Sequence, residues 1–539
     1  MSARLKVGLW LLITTLASSA QQSSQNRTAD FDVTGKVVNS LTGEVIHNAS
    51  VQLASVARRA EVQHLETGSD GVFFFHHLAA GKYNLIGQAR GFPAQSLDQH
   101  ENFNSAIVVG PNKVSTGIVF RLLPEGSISG RVLDEHHEAV REAQVWLFEK
   151  RNDTGRRLIA PRSQMQTDDL GEYHFSHLGP GTYYLAVAGQ PWYHRYMQAS
   201  LRRMADGQPQ ADVDPALDVA YPLTYYPGAT DADSAGAIAL HSGDRITADF
   251  DLVPVQSLHF TIRSPQADNA QPPMPNFRQR VFGEPLVFIQ PNVVGSQGQI
   301  EISGIAPGDY ALNLFHRDGD NTAAQTEDLT LQQSGELDTS GAATLEKIHG
   351  VVKFEGPRMP SNPFILLNDV RSGRSMGARI DEHGEFSVQP EQPGHLVLAL
   401  ANAPGYAIRN IRGTGARVSG RTVEFTGTQP LELSIEASEG VGTVNGTVMN
   451  GDTPVSGAMV VLVPRDIADN VSLFRRDQSD SDGTFTLPDI VPGLYTAIAI
   501  QNRWDIEWAQ PEALRPYLSK GTPVQIEGKQ QLEIKVAAQ

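Results

Sequence analysis

Residues 167–187 read Thr-Asp-Asp-Leu-Gly-Glu-Tyr-His-Phe-Ser-His-Leu-Gly-Pro-Gly-Thr-Tyr-Tyr-Leu-Ala-Val, and their logic is strand, tight turn, strand. The Asp169-Leu170-Gly171 corner favours a turn, because Asp can bond its own backbone and Gly tolerates positive φ. Tyr173 and Phe175 then alternate onto one face, as a half-buried strand requires. Gly179-Pro180-Gly181 breaks that strand, and Tyr183, Leu185 and Val187 resume the alternation.

The phrase recurs at residues 71–83, 298–310 and 483–495, each time starting on Gly and ending on Tyr. A looser copy covers 384–396, where Leu396 takes the place of the tyrosine. In all five copies the two framing glycines stand ten positions apart, so the chain is built from repeats.

With 539 residues, 40% of them hydrophobic, there is material for several packed cores. The 49 glycines and 32 prolines suit an all-β chain with many turns. Residues 1–20 read as a secretory signal: Arg4 and Lys6 precede an apolar run over 7–16, and Ser18-Ser19-Ala20 offers a cleavage site before Gln21. That run is short for a membrane span, and no later segment approaches the necessary length. The chain has no cysteine, so disulfides and a lipid-modified cysteine are excluded, which suits a bacterial export product. In that setting Asn26-Arg27-Thr28 carries no meaning as a glycosylation site. The formal charge is −17, from 43 basic and 60 acidic residues, and basic runs are lacking. Nucleic acid is therefore not an expected partner, since it needs cationic contacts to phosphate.

Around each copy of the phrase the same grammar returns. In the first unit, strands at 31–38 and 49–53 precede it, and strands at 106–109 and 116–122 close it. The second opens at 126–133, continues at 143–148, and closes at 237–240 and 246–252 after an insertion at about 190–231. Within that insertion 195–204 is a candidate helix. The third unit opens at 258–262 with a proline-rich loop at 265–275, the fourth at 348–354, and the fifth at 442–448 with a second strand at 457–463. Residues 504–517 form a further helical insertion containing Trp508, Leu514 and Tyr517. The expected division is a signal peptide over 1–20, then units over 21–123, 124–255, 256–343, 344–437 and 438–539. Sheets with one apolar face must cover each other, so each unit is expected to be a β-sandwich, and the whole a string of semi-independent sandwiches.

The pattern Gly-x-Val, then Ala-x-Val-x-Leu, then Asp-x-x-Gly-x-Tyr/Phe-x-Phe-x-x-Leu-x-Pro-Gly-x-Tyr-x-Leu resembles the carboxypeptidase regulatory-like domain family. The match is good over residues 33–92, 128–188 and 444–500, and confined to the central phrase in units three and four. The resemblance implies an all-β chain, a tandem array of about five transthyretin-like or Cna-B-like sandwiches with short helical insertions. Such modules are accessories in many settings, so the fold does not supply the function.

Catalytic chemistry finds little support. Zinc catalysis needs clustered His and carboxylate ligands, and none of the 16 histidines begins His-x-x-Glu. His76-His77 and His174 with His177 are the densest histidines and read as outward strand positions. Asp168-Asp-Leu-Gly171, Gly68-Ser-Asp-Gly71 and Asp480-Ser-Asp-Gly483 stop at the turn, without the later ligands of a calcium loop. The resemblance to Cna-B-like modules raises a Lys–Asn crosslink, for which unit one offers Lys36 and Asn84. Gly-x-Ser-x-Gly is missing too; in Gly126-Ser-Ile-Ser-Gly130 the serines flank Ile128. The expectation is a chain without metal, cofactor or catalytic residues.

The aromatics Trp192, Tyr193, Tyr196, Tyr221, Tyr225 and Tyr226 cluster in or beside the insertion of unit two. Planar rings stack on sugars, while large aromatics are more often buried than displayed. These six are the candidate ligand-binding residues, with a polysaccharide or an envelope protein as partner. The reading is a secreted, non-catalytic binding and scaffolding protein at the bacterial surface or in the periplasm. The alternative is a structural spacer of an envelope assembly.

Overall fold

The computed structural model describes residues 30–539 apart from 59, 153–154, 156, 194–214, 264–273, 283, 290–291, 297–298, 319–320, 338–342, 357, 370–374, 391–392, 428 and 466–472. The leader, Tyr196 and the candidate helix at 195–204 lie outside the described residues. What is described is a succession of paired sheets with two short 3₁₀ turns and one α-helix, Pro511–Leu518.

Every repeat is assembled around its opening strand. In unit one Phe31–Asn39 lies between Val72–Leu78, which is antiparallel to it, and Ile118–Leu122, which is parallel. The same triplet recurs around Gly126–Leu133, Leu258–Arg263, Ile348–Glu355 and Gly442–Asn450. The facing sheet pairs the second strand with the one that follows the Pro-Gly break, for example Gln144–Arg151 with Gly181–Ala188 and Met459–Pro464 with Gly493–Ile500. Each pair of sheets encloses one apolar cluster, five in all, and none of the five contains a residue of another unit.

The repeated residues have identifiable structural duties. Gly71, Gly171, Gly384 and Gly483 hold φ of 64°, 72°, 85° and 81°, where a Cβ would be strained. Their carbonyls accept from the amides of Val37, Val132, Val352 and Val448 on the opening strand, which ties turn to sheet. The tyrosine two residues beyond the second glycine reaches back to a main-chain carbonyl: Tyr83 to Ala79, Tyr183 to Gly179, Tyr310 to Ala306 and Tyr495 to Val491, at 2.7–2.9 Å. A buried hydroxyl needs such a partner. Leu396 of unit four occupies the same place as a plain apolar side chain, fully buried.

The glycine of the opening strand is needed for a different reason. Gly35, Gly130, Gly350 and Gly446 stand opposite Phe73, Tyr173, Phe386 and Phe485, whose rings, with the carbonyl oxygens of Ile118, Ala248, Leu433 and Ile534, fill the space a side chain would take. A Cβ on Gly350 would come within 2.5 Å of Phe386 Cζ and 2.9 Å of the Leu433 carbonyl oxygen. Unit three solves the same problem with two middle-sized residues, Ile262 opposite Ile300, both buried.

The units are not strung out as semi-independent beads, which corrects the expectation. Phe282 of unit three inserts among Phe148, Tyr184 and Tyr225 of unit two, with ring centroids 5.0–5.4 Å apart. Together with Ala186, Leu223 and Val281 they make an apolar cluster shared by both units. Unit five, moreover, packs against units one and two. The insertion ahead of helix Pro511–Leu518 supplies Ile506, Trp508 and Ala509 to a second core on the outer face of its sheet.

Gly350→Ala is expected to lower stability by about 2–3 kcal/mol through overpacking. Adding Phe386→Ile, which imitates the arrangement of unit three, should restore part of the loss. Denaturant melts of the two single variants and the double variant measure the coupling.

Candidate functional site

The aromatic cluster of unit two divides into three groups. Trp192 lies at the mouth of the insertion, 66% exposed, with its ring edge-on to Tyr193 at 5.7 Å. Tyr193 and Tyr221 donate their hydroxyls to the two oxygens of Glu135, at 3.1 and 2.7 Å, from opposite sides of the loop. Tyr225 and Tyr226 turn inward: Tyr225 is 2% exposed in the cluster shared with unit three, and Tyr226 packs on Phe250. Tyr221 is buried as well, with only its hydroxyl directed to Glu135. Tyr196 lies outside the described residues.

Glu135 is a residue that sequence reasoning missed, although it sits in the acidic, His-rich run Asp134-Glu-His-His-Glu138. The run is a turn between strands. The Asp134 Oδ1 accepts from the amides of His136 and Glu138 at 2.8 Å each, which fixes the turn and presents the Glu135 side chain to the two tyrosines. Asp134, Glu135 and His136 form a group whose ligand-type atoms lie within 4.8 Å of one another. Asp134 is committed to its turn and Glu135 to the tyrosine hydroxyls, so the group offers one fixed carboxylate, and Tyr193, which donates to it, stands edge-on to the exposed Trp192 ring. Burial, then the neighbouring Glu135 charge, pushes the Tyr193 hydroxyl up to about 12, and Tyr221 higher still for the same reasons. Both therefore stay protonated donors at any physiological pH.

The other sequence candidates serve local geometry. His76 and His77 bond Asp32 and Asp30 at 3.0 and 2.7 Å, and His174 and His177 face outward. Asp168 Oδ1 accepts two amides across its own turn and Asp70 Oδ1 accepts the Val72 amide; Asp381, at the matching turn of unit four, accepts two in the same way. Lys36 and Asn84 lie in different sheets; Lys36 is exposed, and Asn84 Oδ1 accepts from the Asn104 side-chain Nδ2.

The corresponding turn of unit five is used otherwise, and it makes the contact with unit one. Asp480 Oδ1 accepts from the amide of Ala106 at 2.8 Å, the Ser481 amide donates to the Ala106 carbonyl at 3.0 Å, and Ser481 Oγ accepts from Val108 at 2.8 Å. Thus the turn satisfies the outward backbone groups of the edge strand Ile107–Val109 and the residue before it. Lys82 and Lys113 reach Asp480 and Asp482 at 2.6 Å, and Arg476 reaches Glu101 at 2.6 Å. Gln478 and Ser479, fully buried, bond Ser105 and the Asp98 carbonyl. His100 stacks on Trp504 at 4.7 Å, and Arg476 lies over the rings of Phe103 and Trp508. On unit two the Trp508 indole donates to the Asn152 carbonyl, and Glu507 accepts the Arg157 amide.

This architecture, an opening strand held between an antiparallel and a parallel neighbour and faced by a second sheet, defines a class of small β-sandwich modules. Residues 32–122 match the model of the Carboxypeptidase regulatory-like domain. No curated protein matches the chain. Among solved structures, a streptococcal ancillary pilin is 12% identical, with 52% of this chain and 99% of that one covered and a TM-score of 0.19. GBS52, a minor pilin of Streptococcus agalactiae, is 12% identical over 44% of this chain and 99% of that one, with a TM-score of 0.21. BcpA, the major pilin subunit of Bacillus cereus, is 11% identical over 77% of this chain and 99% of that one, with a TM-score of 0.14. Overlaps this slight say nothing of function. Among the described residues no helix is long and apolar enough to cross a membrane.

Burial raises the Asp477 carboxyl to about 6, against the amides of Thr486 and Gln478, which favour the ionised form. A folded value above the unfolded one means that folding takes up a proton. The stability owed to this group is therefore complete below about pH 4 and is lost as pH rises through 6, with a span of about 3 kcal/mol. A carbon-13 titration of the carboxyl should show its midpoint near 6; a midpoint near 4 would mean that water reaches it.

Proposed function

We propose that this is an exported, non-catalytic binding and scaffolding protein of a bacterial envelope, with units divided at 21–123, 124–255, 256–343, 344–437 and 438–539. The observation that carries a scaffold over a spacer is the contact between the first and last units. A spacer separates what is attached to its two ends, whereas here the Asp480–Asp482 turn holds unit five against unit one. Units one, two, three and five then form a continuous body through that seam and the Phe282 contact, on which loops can be displayed.

Within that reading, the surface for a ligand is the end of unit two, where Trp192 is exposed and Glu135 is fixed by Tyr193 and Tyr221. An indole face offers stacking, and an oriented carboxylate accepts hydroxyl or amide protons. Together these suit a polysaccharide, including one that bears N-acetyl groups. Titrating the exported form, residues 21–539, with a panel of polysaccharides and peptidoglycan fragments, followed by tryptophan fluorescence, should give a saturable change. Trp192→Ala is expected to abolish it, and Glu135→Gln to weaken it about tenfold, while both variants melt as the parent does. A blank panel at millimolar sugar would assign the role to a protein partner.

A further inference from the structure

Unit five is held in two physically different ways. Its own cores are complete: the clusters around Val448 and Phe485 and around Val461 and Trp508 include no residue from units one or two. What joins it to unit one is a polar seam of turn-to-backbone hydrogen bonds, ion pairs and the His100–Trp504 stack. By contrast, units two and three share an apolar cluster that cannot part without exposing Phe148 and Tyr225 to water. Opening this polar seam also breaks the bonds of Glu507, Trp508 and Ala509 to Arg157, Asn152 and Gly155 of unit two, which are polar as well, so no apolar cluster is split when unit five parts and recloses.

The connection to unit four permits such movement. Gly440 and Val441 alone join strand Leu431–Glu439 to strand Gly442–Asn450, and Gly440 sits at φ 128°, a conformation for glycine. Across this junction Arg421 of unit four lies near Arg475 of unit five. Burial and then that neighbouring charge push the Arg421 guanidinium down to about 10. Once unit five swings away, the edge at Ala106 and Val108 keeps unpaired amides, and the turn keeps an unpaired Asp480 carboxylate and the Asp482 Oδ2, whose Oδ1 stays with Thr484. Each is then complementary to the same surface on another molecule.

We propose that the Asp480–Asp482 turn docks on the Ala106–Val109 edge in trans as well as in cis, so that unit five of one molecule closes on unit one of a second copy. The seam formed is the same in both cases, so the balance between closed monomer and exchanged oligomer is set by effective concentration and by the Gly440 hinge. Dilute protein closes on itself; crowded protein at a surface exchanges. Because the contact is heterologous, exchange between two molecules gives a reciprocal dimer, and further exchange gives open chains.

The test uses charge reversal in the full chain. Lys82→Asp and Asp480→Lys each oppose closure in cis, as one brings two carboxylates together and the other two ammonium groups. Mixed in equal amounts, unit five of the Lys82→Asp chain meets an unaltered unit one on the Asp480→Lys chain, and an unaltered seam forms in trans. Light scattering after size exclusion should show a species of doubled mass in the mixture and monomer in each variant by itself. A mixture that stays monomeric while both variants keep the parent's melting profile would overturn the proposal. So would equal association of either variant alone, because the contact would then lie elsewhere. Should a variant fail to fold, the cysteine-free chain allows a second measurement. Ala106→Cys and Ser481→Cys molecules, mixed at high concentration and oxidised, should yield a disulfide-linked pair containing one of each. Absence of that mixed pair would equally overturn the proposal.

Discussion

The packing of an aromatic ring over a bare glycine on the opening strand is the interaction on which four of the five units rest. In every unit the opening strand has a neighbour on each side, antiparallel on one and parallel on the other. In those four its inward face must be flat where the ring of Phe73, Tyr173, Phe386 or Phe485 crosses it. That ring in turn stands two residues after the turn glycine, whose carbonyl is bound by the valine two residues beyond the strand glycine. The Gly-x-Val of the strand and the Gly-x-aromatic of the phrase are thus two halves of one fitting, and the sheet, the turn and the core are set together.

Much of the fold was legible because its constraints are local. Turn glycines, alternating strands and the Pro-Gly break each follow from a few neighbouring residues, and they recur. The partners of unit five were not legible, because nothing in Asp480-Ser-Asp-Gly483 distinguishes a turn that caps itself from one that caps another unit's edge. A clue did exist. Met459–Pro464 is buried at every position, so that strand is covered on both faces, whereas Ser50–Ser55 alternates. A continuous apolar run calls for a second cover, and the segment around Trp508 provides it. In the candidate site the aromatic residue types were readable but their directions were not: Tyr225 and Trp192 look alike in sequence, and the packing of Phe282 settles which is buried. Glu135 was hidden because its role depends on two tyrosines far along the chain.

The two kinds of joint also divide the molecule by rigidity. Units two and three share apolar surface and move as one, since separating them loses burial worth several kcal/mol. The seam of unit five is made of polar and charged contacts and divides no apolar cluster, although its carboxylates and Arg476 are shielded enough that salt screens them only weakly. Local opening is thereby confined to one end of the chain and leaves the Glu135 end of unit two undisturbed.

The exchange of Gly and aromatic for Ile262 and Ile300 in unit three bears on how such repeats can drift. A unit with the glycine arrangement cannot gain a branched residue on its strand while the ring is in place, because the two would occupy the same space. Shrinking the ring first leaves a void, and a side chain on the strand still meets a main-chain carbonyl oxygen 1.9–2.9 Å from its Cβ position. Passage from one arrangement to the other therefore needs a smaller ring, a larger strand residue and a shift of the neighbouring strand together. A repeat that has made both changes is separated from its siblings by a barrier to recombination, since a strand from one kind and a phrase from the other would either collide or leave a hole.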